Sequence, residues 1–175
     1  MILAGFILSS CAPVLREDVM KAGDINVNLS DMVREPAHYK GKLFILGGII
    51  ADTKLSDRGS VIEALYVPVN SRGYLKSETP GGRFKAILPR DKGELDPLVF
   101  KKDREITLAG VFMGTSVEKT GKSQYTYPLF EIRDIYLWDD TRYYYYYYEP
   151  YPYNYYRYPY WWYDPQWGRY PPYWR

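Results

Sequence analysis

The chain has one cysteine, Cys11, and one histidine, His38, in 175 residues. A structural zinc site of four Cys or His ligands is therefore beyond it, as is an intramolecular disulfide. Charge of one sign is also lacking: 23 basic against 21 acidic residues leave a formal +2, without the basic stripe of a nucleic-acid binder. No apolar run approaches the roughly 20 residues that a bilayer-spanning helix needs. What the chain has in excess is aromatic, and it is unevenly placed. Residues 143–175 hold fifteen of the 21 Tyr and four of the five Trp, so the sequence predicts an ordinary domain followed by an aromatic tail.

The first apolar run, residues 1–8, is followed by Ser9, Ser10 and Cys11, which is the order of a secretory h-region and its cleavage site. Leu8, Ser9, Ser10 and Cys11 resemble a bacterial lipobox, in which an apolar residue and two small ones precede a cysteine that is lipidated and becomes the mature N-terminus. Small residues suit a peptidase that closes around the backbone there. Several acyl chains on Cys11 would give firm anchoring, at about 0.8 kcal/mol per buried methylene. No basic residue precedes Ile2, which predicts a start codon upstream of Met1. Ala12 follows the cysteine where Asp would favour inner-membrane retention, so the expected destination is the outer membrane of a Gram-negative envelope.

Residues 1–10 are thus expected to be a signal-peptide remnant, 11–29 a lipidated tether, 30–140 a β-barrel domain and 141–175 a low-complexity Tyr/Trp/Pro tail. The triplet Asn28, Leu29, Ser30 matches a glycosylation acceptor but is common by chance. Ser30 can cap a short helix through Glu35, which Pro36 then ends. Beyond Gly41 the pattern turns to strands. One contains Gly47 and Gly48, which predict a bulge or tight bend. A second covers 61–69, with Pro68 marking its end. The third covers 83–88, where Arg83 and Lys85 alternate with Phe84, Ala86 and Leu88. A connector at 96–100 leads to a fourth strand over 104–114, a hairpin at 119–122 and a fifth strand over 125–138. Five strands with these turns predict a mainly β fold, a small OB-like antiparallel barrel with one or two short helices. An open antiparallel sheet with a helix packed on it is the alternative.

Several pieces of this region, in order, resemble the Slp family of bacterial outer-membrane lipoproteins. They are Pro36 with Tyr39 and Gly41, the Gly47 to Ile50 strand, Ala64 to Val69, Gly82 to Ala86, Leu95 to Pro97, and Leu108 to Val111. The resemblance covers about residues 8–140. It implies an envelope lipoprotein associated with starvation or stationary phase, without a defined catalytic activity and without a cofactor.

Other motifs weigh little. Gly121, Lys122 and Ser123 end like a phosphate-binding loop, but Ser116 stands where the motif requires Gly and the stretch lies between strands. Asp139 and Asp140 are adjacent and point to different sides of an extended chain, unlike the convergent ligands a hard cation wants. His38 has no triad context and reads as a loop residue. Tyr66, Tyr74, Tyr125 and Tyr127 are candidates for a ligand-binding barrel face, with cross-strand packing as the alternative. Six prolines exclude a continuous helix or central strand from the tail. Its Tyr160, Trp161, Trp162, Trp167 and Trp174 are candidate interface residues, because such rings suit headgroup layers, sugars and protein contacts. A disordered terminus is the competing reading.

The sequence therefore predicts a non-enzymatic lipid-anchored protein with membrane, and envelope glycan or protein, as partners and no nucleic acid. A periplasmic module binding glycan or another extended ligand is the alternative function.

Overall fold

The computed structural model describes residues 12–77, 79–120 and 123–139. The chain divides into two units, Met1–Asp140 and Thr141–Arg175, and every described residue lies in the first. Five strands run in order: β1 (Leu43–Ser56), β2 (Gly59–Val67), β3 (Gly81–Pro89), β4 (Glu105–Thr120) and β5 (Ser123–Leu137). They close in the ring order β1-β2-β3-β5-β4, the OB-like barrel expected from the pattern. One detail differs from an all-antiparallel ring. Strands that alternate in direction cannot close an odd-membered ring without one parallel neighbour. Here β3 and β5 are that pair, joined over Lys85↔Leu129, Ala86↔Phe130 and Ile87↔Glu131.

Alternation fills the barrel. Phe44, Leu46, Ile62, Ala64, Phe84, Ala86, Ile106, Leu108, Phe112, Phe130 and Ile132 are all buried in one core. Phe130 stands at its centre, with Phe112, Phe84 and Phe44 ring centroids at 5.5, 5.8 and 6.3 Å in edge-on arrangements. Three short helices precede the barrel: α1 (Glu17–Ala22), α2 (Leu29–Arg34) and α3 (Pro36–Tyr39). The α2 helix inserts Met32, which is fully buried, into the barrel core.

The cap of α2 is Asn28 rather than Ser30. Its Oδ1 accepts from the backbone N–H groups of Ser30 and Asp31 at 3.1 and 3.2 Å, so the triplet that looked like a glycosylation acceptor is a helix start. Pro36 ends α2 and also opens α3, where its missing N–H costs nothing. His38 accordingly lies on a helical turn, exposed and edge-on to Tyr39 at 5.0 Å.

The tether expected over 11–29 is largely absent. From Val14 onward the segment is bound to the barrel: Val14 N–H donates to Arg72 O at 3.0 Å, and Asp24 exchanges hydrogen bonds with the β1 backbone at Leu43 and Ile45. Leu15 and Val19 are buried with Ile45, Val69 and Ala109 in a second cluster on the outside of β1 and β4. A helix of six residues shows too little of its period for sequence alone to reveal which face it buries.

The glycines divide by function. In the β4–β5 ladder one bulge lies on β4, where Met113 is the extra residue beside Gly114, and the other lies on β5, where Arg133 is the extra residue opposite Ala109 and Gly110. The β1–β2 register instead shifts between Ile50 and Asp52, beyond Gly47 and Gly48. Those two glycines mark close approach. A Cβ on Gly47 would lie 2.5 Å from Val67 O and 2.9 Å from Val69 Cγ1.

Candidate functional site

Three surface features follow from this arrangement. The first is an ionic face on β2 and β3. Glu63 and Lys85 are cross-strand partners, as are Glu63 and Asp52 on the β1 side. Arg83 Nη1 donates to Glu63 Oε1 at 2.8 Å, and Tyr127 Oη donates to the same carboxylate oxygen at 3.3 Å. Beyond the Gly114 bulge the β4–β5 hairpin reaches over β3, so that Glu118 pairs with Lys85. The Lys85 Nζ also lies 4.7 Å from the Tyr127 ring centre.

Burial, followed by the nearby Glu63 carboxylate, raises the Tyr127 phenol pKa above its ordinary value. The hydrogen bond to Glu63 keeps the Arg83 guanidinium more firmly protonated still. Lys54 pairs with Asp52 at 2.8 Å, lowering the pKa of that carboxyl. The face thus pairs three acids, Asp52, Glu63 and Glu118, with three bases, Lys54, Arg83 and Lys85. Such a face orders the hairpin against the barrel, but it presents no surplus charge to attract a phosphate chain.

The second feature is a groove of about 290 Å³ between α2 and the β3/β5 seam, lined by Leu29, Val33, Gly82, Arg83, Tyr125 and Pro128 among others. It lies beside the N-terminal parts of β3 and β5, which pair over only three residues further along. Tyr125 stands on its rim, 41% exposed, with its ring 4.5 Å from that of Tyr127 and its Oη accepting from Arg83 N–H at 3.1 Å.

The third is an aromatic row formed by Tyr74, Trp138 and Tyr136. The ring centres lie 5.4 Å (Tyr74 to Trp138) and 5.0 Å (Tyr136 to Trp138) apart. Trp138 Nε1 donates to Thr107 Oγ1 at 3.0 Å, and Thr107 donates to Gly73 O at 2.8 Å. The indole is therefore fixed, whereas Tyr74 and Tyr136 remain 43% and 40% exposed.

Of the four tyrosines singled out from sequence, Tyr125 and Tyr74 are exposed, Tyr127 is buried at 5% exposure within the ionic face, and Tyr66 packs partly against the core. Tyr136 and Trp138 were missed. The signal for them was the period of two along Asp134, Tyr136 and Trp138, which puts all three on one outward face. Leu8, Ser9, Ser10, Cys11, Tyr160, Trp161, Trp162, Trp167 and Trp174 lie outside the described residues. Thr120 at the end of β4 pairs with Ser123 at the start of β5, whereas a phosphate-binding loop leads from a strand into a helix; Gly121 and Lys122 lie outside the described residues. Among the described residues no three His, Cys, Asp or Glu side chains gather as a metal site, and no helix is long and apolar enough to cross a membrane.

A family model described as "Outer membrane lipoprotein Slp family" matches residues 8–167. No curated protein matches the sequence. Among solved structures, the chain is similar to the S. cerevisiae mitochondrial single-stranded DNA binding protein Rim1, at 9% identity and a TM-score of 0.31, with 56% of this chain and 95% of that one covered. It is similar to Plasmodium falciparum SSB, solved as a complex with ssDNA, at 15% identity and a TM-score of 0.30, covering 55% and 94%.

Proposed function

Because the chain belongs to the Slp family of outer membrane lipoproteins, we propose that it is anchored in the outer membrane through lipid on Cys11 and acts there without catalysis, in the starvation or stationary-phase setting that the family resemblance implies. The observation that carries this reading is the family match, which takes in the lipobox residues Leu8 to Cys11. The non-catalytic role follows the family resemblance, and the acids and bases of the ionic face on β2 and β3 are paired with one another. The aromatic residues of 141–175, including Tyr160, Trp161, Trp162, Trp167 and Trp174, are suited to contacts with the headgroup layer or with envelope glycan and protein.

Replacing Cys11→Ser removes the acceptor. Cell fractionation then shows the wild-type chain with outer membranes and the variant displaced from them. A variant that stays in the outer-membrane fraction in the same proportion as wild type refutes lipid anchoring at Cys11.

The groove beside Tyr125 favours a second role for the anchored barrel, the binding of an extended ligand such as a glycan strand. An exposed ring beside a shallow trough is the usual way a protein stacks on sugar. Tyr125→Ala should reduce retention on immobilised peptidoglycan several-fold while leaving the melting temperature within a few degrees. Unchanged retention removes the groove from consideration.

A further inference from the structure

We infer that the row Tyr74, Trp138 and Tyr136 is the face by which the barrel rests on the phospholipid headgroup layer. The inference rests on the anchoring of Cys11 proposed above, and it adds an orientation which that anchoring alone does not give.

The argument begins with the length of the leash. Only Ala12 and Pro13 separate Cys11 from Val14, and Val14 N–H is already hydrogen-bonded to Arg72 O at 3.0 Å. Three Cα steps extend at most about 10 Å, so a lipid on Cys11 holds this part of the barrel at the bilayer surface. Two residues further, Arg16 N–H donates to Asp134 Oδ2 at 3.1 Å, with the guanidinium Nε 3.5 Å from the same oxygen. The first two points that grip the N-terminal segment, Arg72 and Asp134, are therefore each two residues along the chain from a member of the aromatic row. Tyr74 follows Arg72 and Gly73, while Tyr136 and Trp138 share the outward face of β5 with Asp134.

The chemistry of the row matches the layer it would meet. Tyr and Trp combine an apolar ring with a polar edge and concentrate at the headgroup level of membranes. Arg72 is exposed beside it, and Arg16, though paired with Asp134, keeps 65% of its side chain accessible; an exposed cation such as Arg72 favours anionic headgroups. The row is also held in place, because the hydrogen bonds from Trp138 through Thr107 to Gly73 O tie its indole to the loop that carries Tyr74.

The test uses the full lipidated chain reconstituted in vesicles of phosphatidylethanolamine and phosphatidylglycerol. With Cys11 acylated, Tyr136→Cys supplies a single free thiol for an environment-sensitive fluorophore. The control label is placed by Asp57→Cys, at the tip of the β1–β2 hairpin. Ile49 is level with Glu105, whose carbonyl accepts from Trp138 N–H, and Asp57 lies eight residues further along, about 25 Å of strand. Lipids carrying nitroxides near the headgroup should quench the label at position 136 several-fold more than the label at 57. Equal, weak quenching at both positions in protein that co-floats with vesicles overturns the orientation and leaves the anchor standing. So does a shielded label at 136 that responds to protein density and not to nitroxide lipid, which would mean that a second copy covers the face. If acylation of Cys11 is absent and the protein fails to float, the anchor reading falls and takes the orientation with it.

Discussion

Gly47→Val is expected to prevent stable folding. The residue pairs with Val67 in the β1–β2 ladder, and even a Cβ there would stand 2.5 Å from the Val67 carbonyl oxygen. The Leu75 and Val69 side chains that also crowd the position can turn aside, but the Val67 carbonyl is backbone, so full relief requires the two strands to part. Overpacking in a well-packed interior costs about 1–3 kcal/mol when side chains can adjust, and here the carbonyl cannot. The expected loss is therefore at the top of that range or above it, a large share of the roughly 5–15 kcal/mol by which domains are stable. Gly81→Ala is the matching control. The nearest atom to its Cβ would be Tyr66 Cδ1, at an ordinary 3.6 Å. Chemical denaturation of the two variants should show a collapse of the midpoint for Gly47→Val and almost no change for Gly81→Ala. A Gly47→Val midpoint equal to wild type would mean that the β1–β2 contact is not as tight as described.

Phe130→Ala should be nearly as damaging, at about 3–5 kcal/mol. Phe130 has no exposed surface and touches the rings of Phe44, Phe84 and Phe112, which come from three other strands. It also sits in both ladders of β5, opposite Ala86 in the parallel pairing and Phe112 in the antiparallel one. Removing the ring leaves a void where the barrel closes. Amides of 85–87 and 129–131 should then exchange with solvent faster than those of the β1–β2 ladder. Uniform loss of protection across all strands, at the same total destabilisation, would instead show that the seam has no special dependence on Phe130.

The barrel was readable because strands such as β3 alternate, with Arg83 and Lys85 set against Phe84 and Ala86, because β1 is a continuous β-rich run, and because turn residues such as Asp57 and Gly59 separate the runs. Ring closure was readable from the strand count and bends, but the parallel β3/β5 contact was not, since it depends on which strands become neighbours and not on any local pattern. The N-terminal segment was misread for a different reason. Leu15 and Val19 form an apolar pair four residues apart in a stretch otherwise rich in charge, and only the outer faces of Ile45 and Ala109 show what they cover. Ser30 is a sound cap by residue type, but so is Asn28, and the direction of the Asn28 side chain makes it the cap. At Gly47 and Gly48 the residue type announced a special position but not its kind, because bulges and close approaches both favour a missing Cβ.

The proposed function rests on residues 8–11, a short chemical pattern that needs no fold, together with the family match over 8–167. The surfaces of the barrel were less legible. Tyr125 and Tyr127 are two residues apart on β5, yet one rims a groove and the other is buried beside Glu63 and Lys85. The row of Tyr74, Trp138 and Tyr136 draws on residues more than sixty positions apart, which only the closed ring brings together.

The central claim, that lipid on Cys11 holds this barrel at the outer membrane, is tested most directly by intact-mass and N-terminal peptide analysis of the protein from cell envelopes. The account predicts a mature chain that begins at Cys11, lacks residues 1–10 and carries the added mass of acyl chains on that residue. A chain that retains residues 1–10, or an unmodified Cys11 in the membrane-associated protein, would contradict it.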